Sequence, residues 1–191
     1  MHSRSTSRRL LYVALVTAAS LVYLADQLTK AWVSANLEPD QPRELLGSVL
    51  QLNLTHNPGA AFSIGTGSTW LLTAIAGAVV VFIVITARRL GSRGWAVALG
   101  LLLGGSMGNL TDRIFRAPGP GRGHVVDFLQ LPHWPIFNIA DSAIVSAAVL
   151  IGLLAFRGIS VDGTRVSSHA PKHHDSKDDD SKDSAGTTHD G

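Results

Sequence analysis

The segments His124-Val125-Val126-Asp127-Phe128 and Phe137-Asn138-Ile139-Ala140-Asp141 decide how this chain can fold and what chemistry it can carry. They bring two carboxylates to the start of an apolar stretch that is long enough to cross a bilayer. Asp141 lies inside that stretch, where an ionisable group is expensive and is therefore a candidate for function. Paired carboxylates near a membrane surface favour one reaction above others, which is water attack on a peptide bond by an aspartate pair.

The composition indicates a membrane protein. Of the 191 residues, 46% are apolar and 16% are charged, and four apolar stretches approach the length of a spanning helix. The net charge of +2 is small and no basic patch alternates with aromatic residues, so nucleic-acid binding is not expected. The absence of cysteine excludes disulfides, a thiolate nucleophile and cysteine-based metal sites. We therefore expect an all-α membrane protein with four transmembrane helices and a small extracytoplasmic platform that contains β-structure.

The expected membrane domain covers residues 10–157, and its four spans cover residues 10–33, 70–87, 95–112 and 136–156. The basic segment 1–9 also fits the start of a signal peptide, but no convincing cleavage site follows it and three more spans do. The third span is rich in glycine, so we expect it to pack centrally. Residues 158–191 are hydrophilic and are expected to form a disordered tail, because they cannot bury a core.

Two long loops, residues 36–69 and 113–135, connect the spans. Residues 49–55 partly alternate between apolar and polar types, which predicts a short strand in a sheet that lies on the membrane. The positive-inside rule places both termini in the cytoplasm, and both long loops and both carboxylates on the extracytoplasmic side. The arginines that support this orientation are Arg4, Arg8, Arg9, Arg88, Arg89, Arg93 and Arg157.

The pair Asp127 and Asp141 can hydrolyse a peptide bond without a cofactor or a metal. Two carboxylates a few ångström apart do not both ionise easily, so they share a proton at neutral pH. The charged one can take a proton from water, and the neutral one can hydrogen-bond to the scissile carbonyl. The alternative is that Asp141 caps a helix or pairs within the bundle, while Asp127 is an ordinary loop residue. The scattered histidines His56, His124 and His133 lack ligand spacing, so no metal site is predicted.

Two further residue pairs stand four positions apart and therefore share a helix face. Asp26 and Lys30 are in the favourable acid-before-base order, which predicts an internal ion pair or a part in docking a substrate. Asn109 and Arg113 lie at the outer end of the third span. The arginine fork suits peptide carbonyls or a lipid phosphate, and the alternative is a cation that snorkels to the headgroups.

Two asparagines offer a donor and an acceptor to a peptide backbone. Asn57 stands with Gly59 and Phe62 on a turn that can reach the membrane surface, although a turn-forming Asn-Pro-Gly explains it as well. Asn138 precedes Asp141 by three residues, so it can orient that carboxylate, bind substrate or cap the helix.

Two other classes of protein remain open from the residues alone. A small proton-coupled membrane transporter could use Asp26, Asp127 and Asp141, but it would place carboxylates near the midplane and show repeated, broken helices. Here the carboxylates cluster toward one face and no internal repeat is visible. A non-enzymatic membrane scaffold, whose tail recruits a partner, gives the polar residues of the spans no reason to converge.

Five blocks of sequence, taken in chain order, resemble lipoprotein signal peptidase, also called signal peptidase II. The resemblance covers residues 10–157 and depends on the order of the blocks and their places relative to the four spans, since any one block alone is weak. The blocks are Asp26-Gln27-Leu28-Thr29-Lys30, Asn57-Pro58-Gly59-Ala60-Ala61-Phe62, Gly108-Asn109-Leu110-Thr111-Asp112-Arg113, Val125-Val126-Asp127-Phe128 and Phe137-Asn138-Ile139-Ala140-Asp141.

The resemblance implies an aspartic endopeptidase of the bacterial inner membrane. Such enzymes remove signal peptides from diacylglyceryl-modified prolipoproteins and cut just before the lipidated cysteine. The implied partners are these prolipoproteins, membrane lipids and globomycin-type inhibitors, and nothing requires more than a monomer. By position, the catalytic pair would be Asp127 and Asp141. The substrate-binding residues would be Asn57, Asn109, Arg113 and Asn138, and the supporting residues Asp26, Lys30, Gly59 and Phe62.

Overall fold

The computed structural model describes residues 2–59 and 69–165, which form a mostly helical protein with a small sheet. Each predicted span corresponds to a helix, and the predicted strand is present. The elements are, in chain order, α1 (His2–Asn36), β1 (Arg43–Leu46), β2 (Leu50–Asn57), α2 (Thr69–Ala87), α3 (Arg93–Phe115), β3 (Val125–Gln130) and α4 (Ile139–Phe156).

Three of the helices are long and apolar enough to cross a membrane: Arg8–Asn36 within α1, Thr69–Ala87 and Ile139–Phe156. Their outward faces carry large apolar side chains, such as Leu24, Phe82 and Val149, each more than half exposed. Exposed apolar surface of this extent marks a membrane or partner contact rather than a surface in water. Whether α3 also spans the bilayer stays a prediction.

The third helix lies between α1 and α4, as its glycines predict. A Cβ atom placed on Gly104 would come within 2.5 Å of the Ala19 carbonyl oxygen on α1. A Cβ atom on Gly105 would come within 2.6 Å of the Ala140 carbonyl oxygen on α4. Glycine is therefore what permits α3 to touch the backbones of both neighbours.

The sheet is antiparallel with strand order β1-β2-β3, and it packs over the end of α1. Its apolar core joins the sheet to that helix through Val33, Leu37, Leu54, Val126 and Phe128. Thr55 pairs with Asp127 and Asn57 pairs with Val125, so the end of β2 lies beside the aspartate of β3. The pairing of β3 with β2, and the packing of the sheet on α1, therefore fix the position of Asp127 relative to the helices.

Most helix ends differ by a few residues from the predicted spans; α3, for example, covers Arg93–Phe115 where the sequence predicts 95–112. The first helix extends through the basic segment and on to Asn36, because the next proline is Pro39. The fourth helix begins at Ile139, not at residue 136, because Asn138 has an extended backbone and acts as the N-cap.

Residues 158–165 correct the prediction of a disordered tail that begins at 158. Ile159 pairs with Arg165, and the Trp95 indole donates a hydrogen bond to the Ile159 carbonyl oxygen over 2.8 Å. The Gly91 N–H donates to the Val161 carbonyl oxygen over 2.9 Å. These residues form a turn on the loop between α2 and α3, and the rest of the predicted tail lies outside the described residues.

Candidate active site

A backbone pairing brings Asp127 and Asp141 to one place. Phe137 returns to β3 and exchanges hydrogen bonds with Leu129, at 2.8 and 3.0 Å. That return sets Asn138 beside Asp127, and α4 then starts with Asp141 in its first turn. The chain between the two aspartates therefore closes into a loop, so the two residues lie close together although they are far apart in sequence. The carboxylates are close enough for the charge of Asp141 to act on Asp127.

Asn138 contacts both aspartates. Its side-chain Nδ2 donates to Asp127 Oδ1 over 2.6 Å, and its backbone N–H donates to Asp141 Oδ2 over 3.2 Å. Its Oδ1 accepts from the Asp141 backbone N–H over 2.9 Å, which completes a capping box. Helix capping and carboxylate orientation, considered as alternatives from the sequence, are thus combined in one fully buried residue.

Two further asparagines complete the ring of donors. Asn57 Nδ2 donates to Asp127 Oδ2 over 2.9 Å, and its Oδ1 accepts from the Gly59 N–H. Asn109 Nδ2 donates to Asp141 Oδ1 over 2.8 Å. Each of the four carboxylate oxygens therefore accepts one N–H bond. Asn57, Asn109 and Asn138 each contact one or both aspartates, and their expected contact with substrate stays a prediction.

The surroundings of Asp127 favour the protonated form of its carboxyl group. Asp127 is 2% exposed, and its pKa is raised to about 7, with burial as the largest cause. The negative charge of Asp141 contributes to this rise in pKa, whereas the hydrogen bonds from Asn57 and Asn138 oppose it. The Asp127 carboxyl can therefore hold a proton near neutral pH. Asp141 is half-buried and therefore more accessible than Asp127.

Beneath the pair lies a buried ion network centred on Lys30. Its Nζ is 2.8 Å from Asp26 Oδ2 and 2.8 Å from Asp112 Oδ2, and all three side chains are fully buried. Arg116 Nε donates to Asp112 Oδ1 over 2.6 Å. The Asp26–Lys30 ion pair is the one that the sequence predicts. Two charges of each sign make the network neutral, which is the condition under which buried charges are tolerated.

The network connects to the aspartates at two points. Lys30 Nζ donates to Asn109 Oδ1 over 2.9 Å, so Asn109 bridges the ammonium and Asp141. The Ala140 N–H donates to Asp26 Oδ1 over 3.0 Å, which ties the first turn of α4 to α1. Asp112 and Arg116 were not among the predicted site residues. Their i, i+4 spacing on α3 is the signal in the sequence that points to them.

Arg113 lies against both aspartates and keeps a free donor. Its guanidinium interacts electrostatically with Asp127 and Asp141, and its buried Nη1 has no hydrogen-bond partner among residues 2–59 and 69–165. A buried unpaired donor costs free energy unless a ligand satisfies it. Gly59 has a φ of +112°, a backbone conformation that other residues rarely adopt. Phe62 lies outside the described residues.

The sequence of this chain is similar to those of known proteins. The family model described as signal peptidase (SPase) II matches residues 18–157, a range that contains every aspartate and asparagine of the site. The lipoprotein signal peptidase of Rhodococcus jostii is 52% identical over 158 residues, which cover 83% of this chain and 78% of that protein. The lipoprotein signal peptidase of Mycobacterium tuberculosis is 49% identical over 148 residues, covering 78% of this chain and 73% of that one.

A solved structure also resembles the fold. It is described as a bacterial membrane enzyme determined by the in meso method at 2.3 Å resolution. The two chains superpose with a TM-score of 0.68 at 27% identity, over 76% of this chain and 89% of that chain. The family match includes β3 and α4, the strand and the helix that carry the two aspartates. The chain belongs to the signal peptidase II family.

Proposed function

We propose that Asp127 and Asp141 are the catalytic carboxylates with which this lipoprotein signal peptidase removes signal peptides from prolipoproteins. Membership of the signal peptidase II family makes the protein a protease of prolipoproteins. The observation that supports the residue assignment is the ring of donors, in which three asparagines orient all four carboxylate oxygens. Nothing in the described residues favours the transporter alternative.

The environments of the two carboxyls divide their roles. Asp127 is buried, its pKa is about 7, and it carries the shared proton. Asp141 is more accessible and carries the charge, so it takes a proton from the attacking water. The new O–C bond forms at the scissile carbonyl while the Asp127 carboxyl donates a hydrogen bond to the carbonyl oxygen. The C–N bond then breaks, and the departing amine leaves with the proton that Asp141 received.

Lys30 acts on this chemistry through Asn109. An ammonium group can only donate hydrogen bonds, so the Asn109 amide must turn its oxygen to Lys30 and its NH₂ to Asp141. Asp26 and Asp112 keep the buried ammonium charged. We assign Lys30, Asp26 and Asp112 as positioning residues, because none of them contacts either catalytic carboxylate.

Arg113 is the residue that we assign to substrate binding. Its unpaired Nη1 is buried beside the aspartates, where a peptide carbonyl oxygen of a bound signal peptide would satisfy it. Asn57, Asn109 and Asn138 are then positioning residues that border the peptide. Their amides hold the catalytic carboxylates and leave the direct peptide contact to the arginine.

The membrane setting follows from the apolar helices. We propose that α3 is the fourth span, that both termini are cytoplasmic and that the site faces the extracytoplasmic side. The exposed aromatic side chains Phe115 and Trp134 lie near the site end of the bundle and suit the membrane interface. A lipid-anchored substrate then reaches the carboxylates by lateral diffusion and is cut just before the diacylglyceryl-cysteine. Globomycin would occupy the same cleft, and a monomer suffices.

Cleavage of a diacylglyceryl-modified prolipoprotein in liposomes tests the assignment. Asp127→Asn and Asp141→Asn should each lower the rate by at least about 100-fold, since each removes a proton-transfer group. Asp162→Asn is the matched control, because Asp162 lies on the turn after α4. Near-normal cleavage by either folded dyad variant would refute the pair. An inactive wild type that instead moves protons across the bilayer would favour a transporter.

A further inference from the structure

A cavity lies at the C-terminal end of α3. It has a volume of about 470 Å³ and is lined by His56, Arg116, Ala117, Pro118 and His124. Three of these five side chains carry N–H donors, and none carries a carboxylate. The cavity is on the opposite face of β2 from Asn57, since neighbouring residues of a strand point to opposite faces. It is therefore separate from the aspartate pair.

The backbone holds the three donor side chains in one place. His56 pairs with Val126 in the register of β2 and β3, and His124 stands two residues before Val126. The two histidines are thus diagonal neighbours on one face of the sheet. The backbone N–H of His124 donates to the Ala117 carbonyl oxygen over 3.0 Å, which closes the loop after α3 around the cavity.

Arg116 supplies the positive charge of the cavity. Asp112 Oδ1 accepts from its Nε over 2.6 Å, so one edge of the guanidinium is fixed. Its two terminal nitrogens have no partner among the described residues, and the side chain is 31% exposed. Asp112 is also paired with Lys30 over 2.8 Å, so its negative charge is shared between two cations. The free edge of the guanidinium therefore remains a strong anion donor.

We propose that this cavity binds a phosphate group. An arginine fork flanked by imidazole donors suits a tetrahedral oxyanion, and the volume leaves room for the group that carries the phosphate. If the helices span the bilayer as we propose, the cavity lies at the height of the outer-leaflet headgroups. The phosphate then comes from a phospholipid headgroup or from solution, and the site is independent of peptide cleavage.

Calorimetric titration of the full-length protein in a neutral maltoside detergent and phosphate-free buffer tests the proposal. The probes are sodium phosphate, short-chain phosphatidylglycerol and, as the uncharged counterpart, short-chain diacylglycerol. Binding of phosphatidylglycerol without sodium phosphate identifies a lipid headgroup as the source. Binding of both identifies a site that free phosphate also fills. Equal binding of diacylglycerol, or no binding of either phosphate probe, would overturn the proposal.

Three variants locate the binding. The double variant His56→Leu with His124→Leu removes two donors at similar side-chain size and should weaken phosphate binding at least tenfold. Arg116→Lys keeps a cation for Asp112 but removes the fork, and it should weaken binding severalfold even if the double variant does not fold. Arg122→Gln is the matched control, because it is exposed in the same loop and does not line the cavity. Unchanged affinity in folded Arg116→Lys would place the phosphate elsewhere.

Phosphate binding can be tested separately from the assignment of Asp127 and Asp141 as catalytic residues. Asp127→Asn leaves the cavity intact, so this variant should bind the phosphate probes with wild-type affinity. A cavity that binds phosphate in an inactive protein supports the site alone. Loss of binding in Asp127→Asn would show that the two sites are one and would contradict the proposal.

Discussion

Asn138 and Asp141 exchange hydrogen bonds in both directions. The asparagine oxygen accepts from the Asp141 backbone N–H over 2.9 Å, and the Asp141 carboxylate accepts from the Asn138 backbone N–H over 3.2 Å. One residue thus starts the helix that carries one aspartate, while its amide NH₂ holds the other aspartate. Capping and catalysis can be separated at this position, because serine caps a helix but has no NH₂ group.

Asn138→Ser should be about 1 kcal/mol more stable than Asn138→Ala, since only serine retains the cap. Both variants should nevertheless lose about 100-fold in kcat, because Asp127 Oδ1 loses its donor in each and a small displacement of a reacting group is costly. Thermal unfolding in detergent and prolipoprotein cleavage are the two measurements. Wild-type cleavage by Asn138→Ser would mean that the amide contact with Asp127 is dispensable.

Lys30→Met should destabilise the protein by about 3–5 kcal/mol, since it leaves Asp26 and Asp112 buried without their shared cation. Adding Asp26→Asn removes one of the stranded charges and should recover part of the stability. The double variant should keep a low kcat with little change in KM, because the Lys30 ammonium no longer orients Asn109 toward Asp141 and only the longer contact from Asn138 Nδ2 to Asn109 Oδ1, at 3.1 Å, remains. Recovery of kcat together with stability would reduce Lys30 to a purely structural residue.

The rate of cleavage should fall as the pH rises through about 7. Burial and the charge of Asp141 raise the pKa of Asp127 to about 7, so the carboxyl that hydrogen-bonds to the scissile carbonyl is lost on the alkaline side. The profile of kcat/KM for a diacylglyceryl-prolipoprotein checks this. A rate that stays level from pH 6 to pH 9 would contradict the assignment of the proton to Asp127.

Gly105→Ala should impair both folding and cleavage. The added methyl group would meet the Ala140 carbonyl oxygen at 2.6 Å, in the same turn of α4 that carries Asp141. Overpacking of this kind costs about 1–3 kcal/mol and displaces the backbone. Gly152→Ala on α4 is the control, because its Cβ meets no atom within 4 Å, and it should be neutral or stabilising. Equal stability of the two variants would contradict the close approach of α3 and α4.

Much of the fold follows from local signals. Four apolar stretches of helical length predict α1 to α4, and one segment of alternating apolar and polar residues predicts β2. The glycines of the third stretch predict that α3 packs centrally. The start of α4 was wrong because a hydrophobic pattern cannot distinguish Phe137, which pairs with β3, from the first residue of the helix. The turn at 158–165 was missed because backbone hydrogen bonds and the Trp95 indole hold it, with little apolar burial.

The aspartate pair could be found from the sequence, whereas the division of labour around it could not. Carboxylates beside an apolar span are conspicuous, because each is expensive there. The roles of Asn57, Asn109 and Asn138 depend on which way each amide turns, and a neighbouring donor or acceptor decides that. The ammonium of Lys30 fixes the orientation of the Asn109 amide, and these two residues are 79 positions apart in the chain. Asp112 and Arg116 were missed because Lys30, the buried partner of Asp112, also comes from a helix that is distant in the chain.

The neutrality of the ion network has a consequence for an enzyme in an energised membrane. Asp26 and Asp112 balance Lys30 and Arg116, and the singly charged aspartate pair is balanced by Arg113. An electric field exerts no net force on a neutral cluster, whereas it drives an unbalanced charge by about 2.3 kcal/mol per 100 mV. The catalytic geometry should therefore be indifferent to voltage. Prolipoproteins in liposomes should be cleaved at the same rate with and without an imposed potassium diffusion potential.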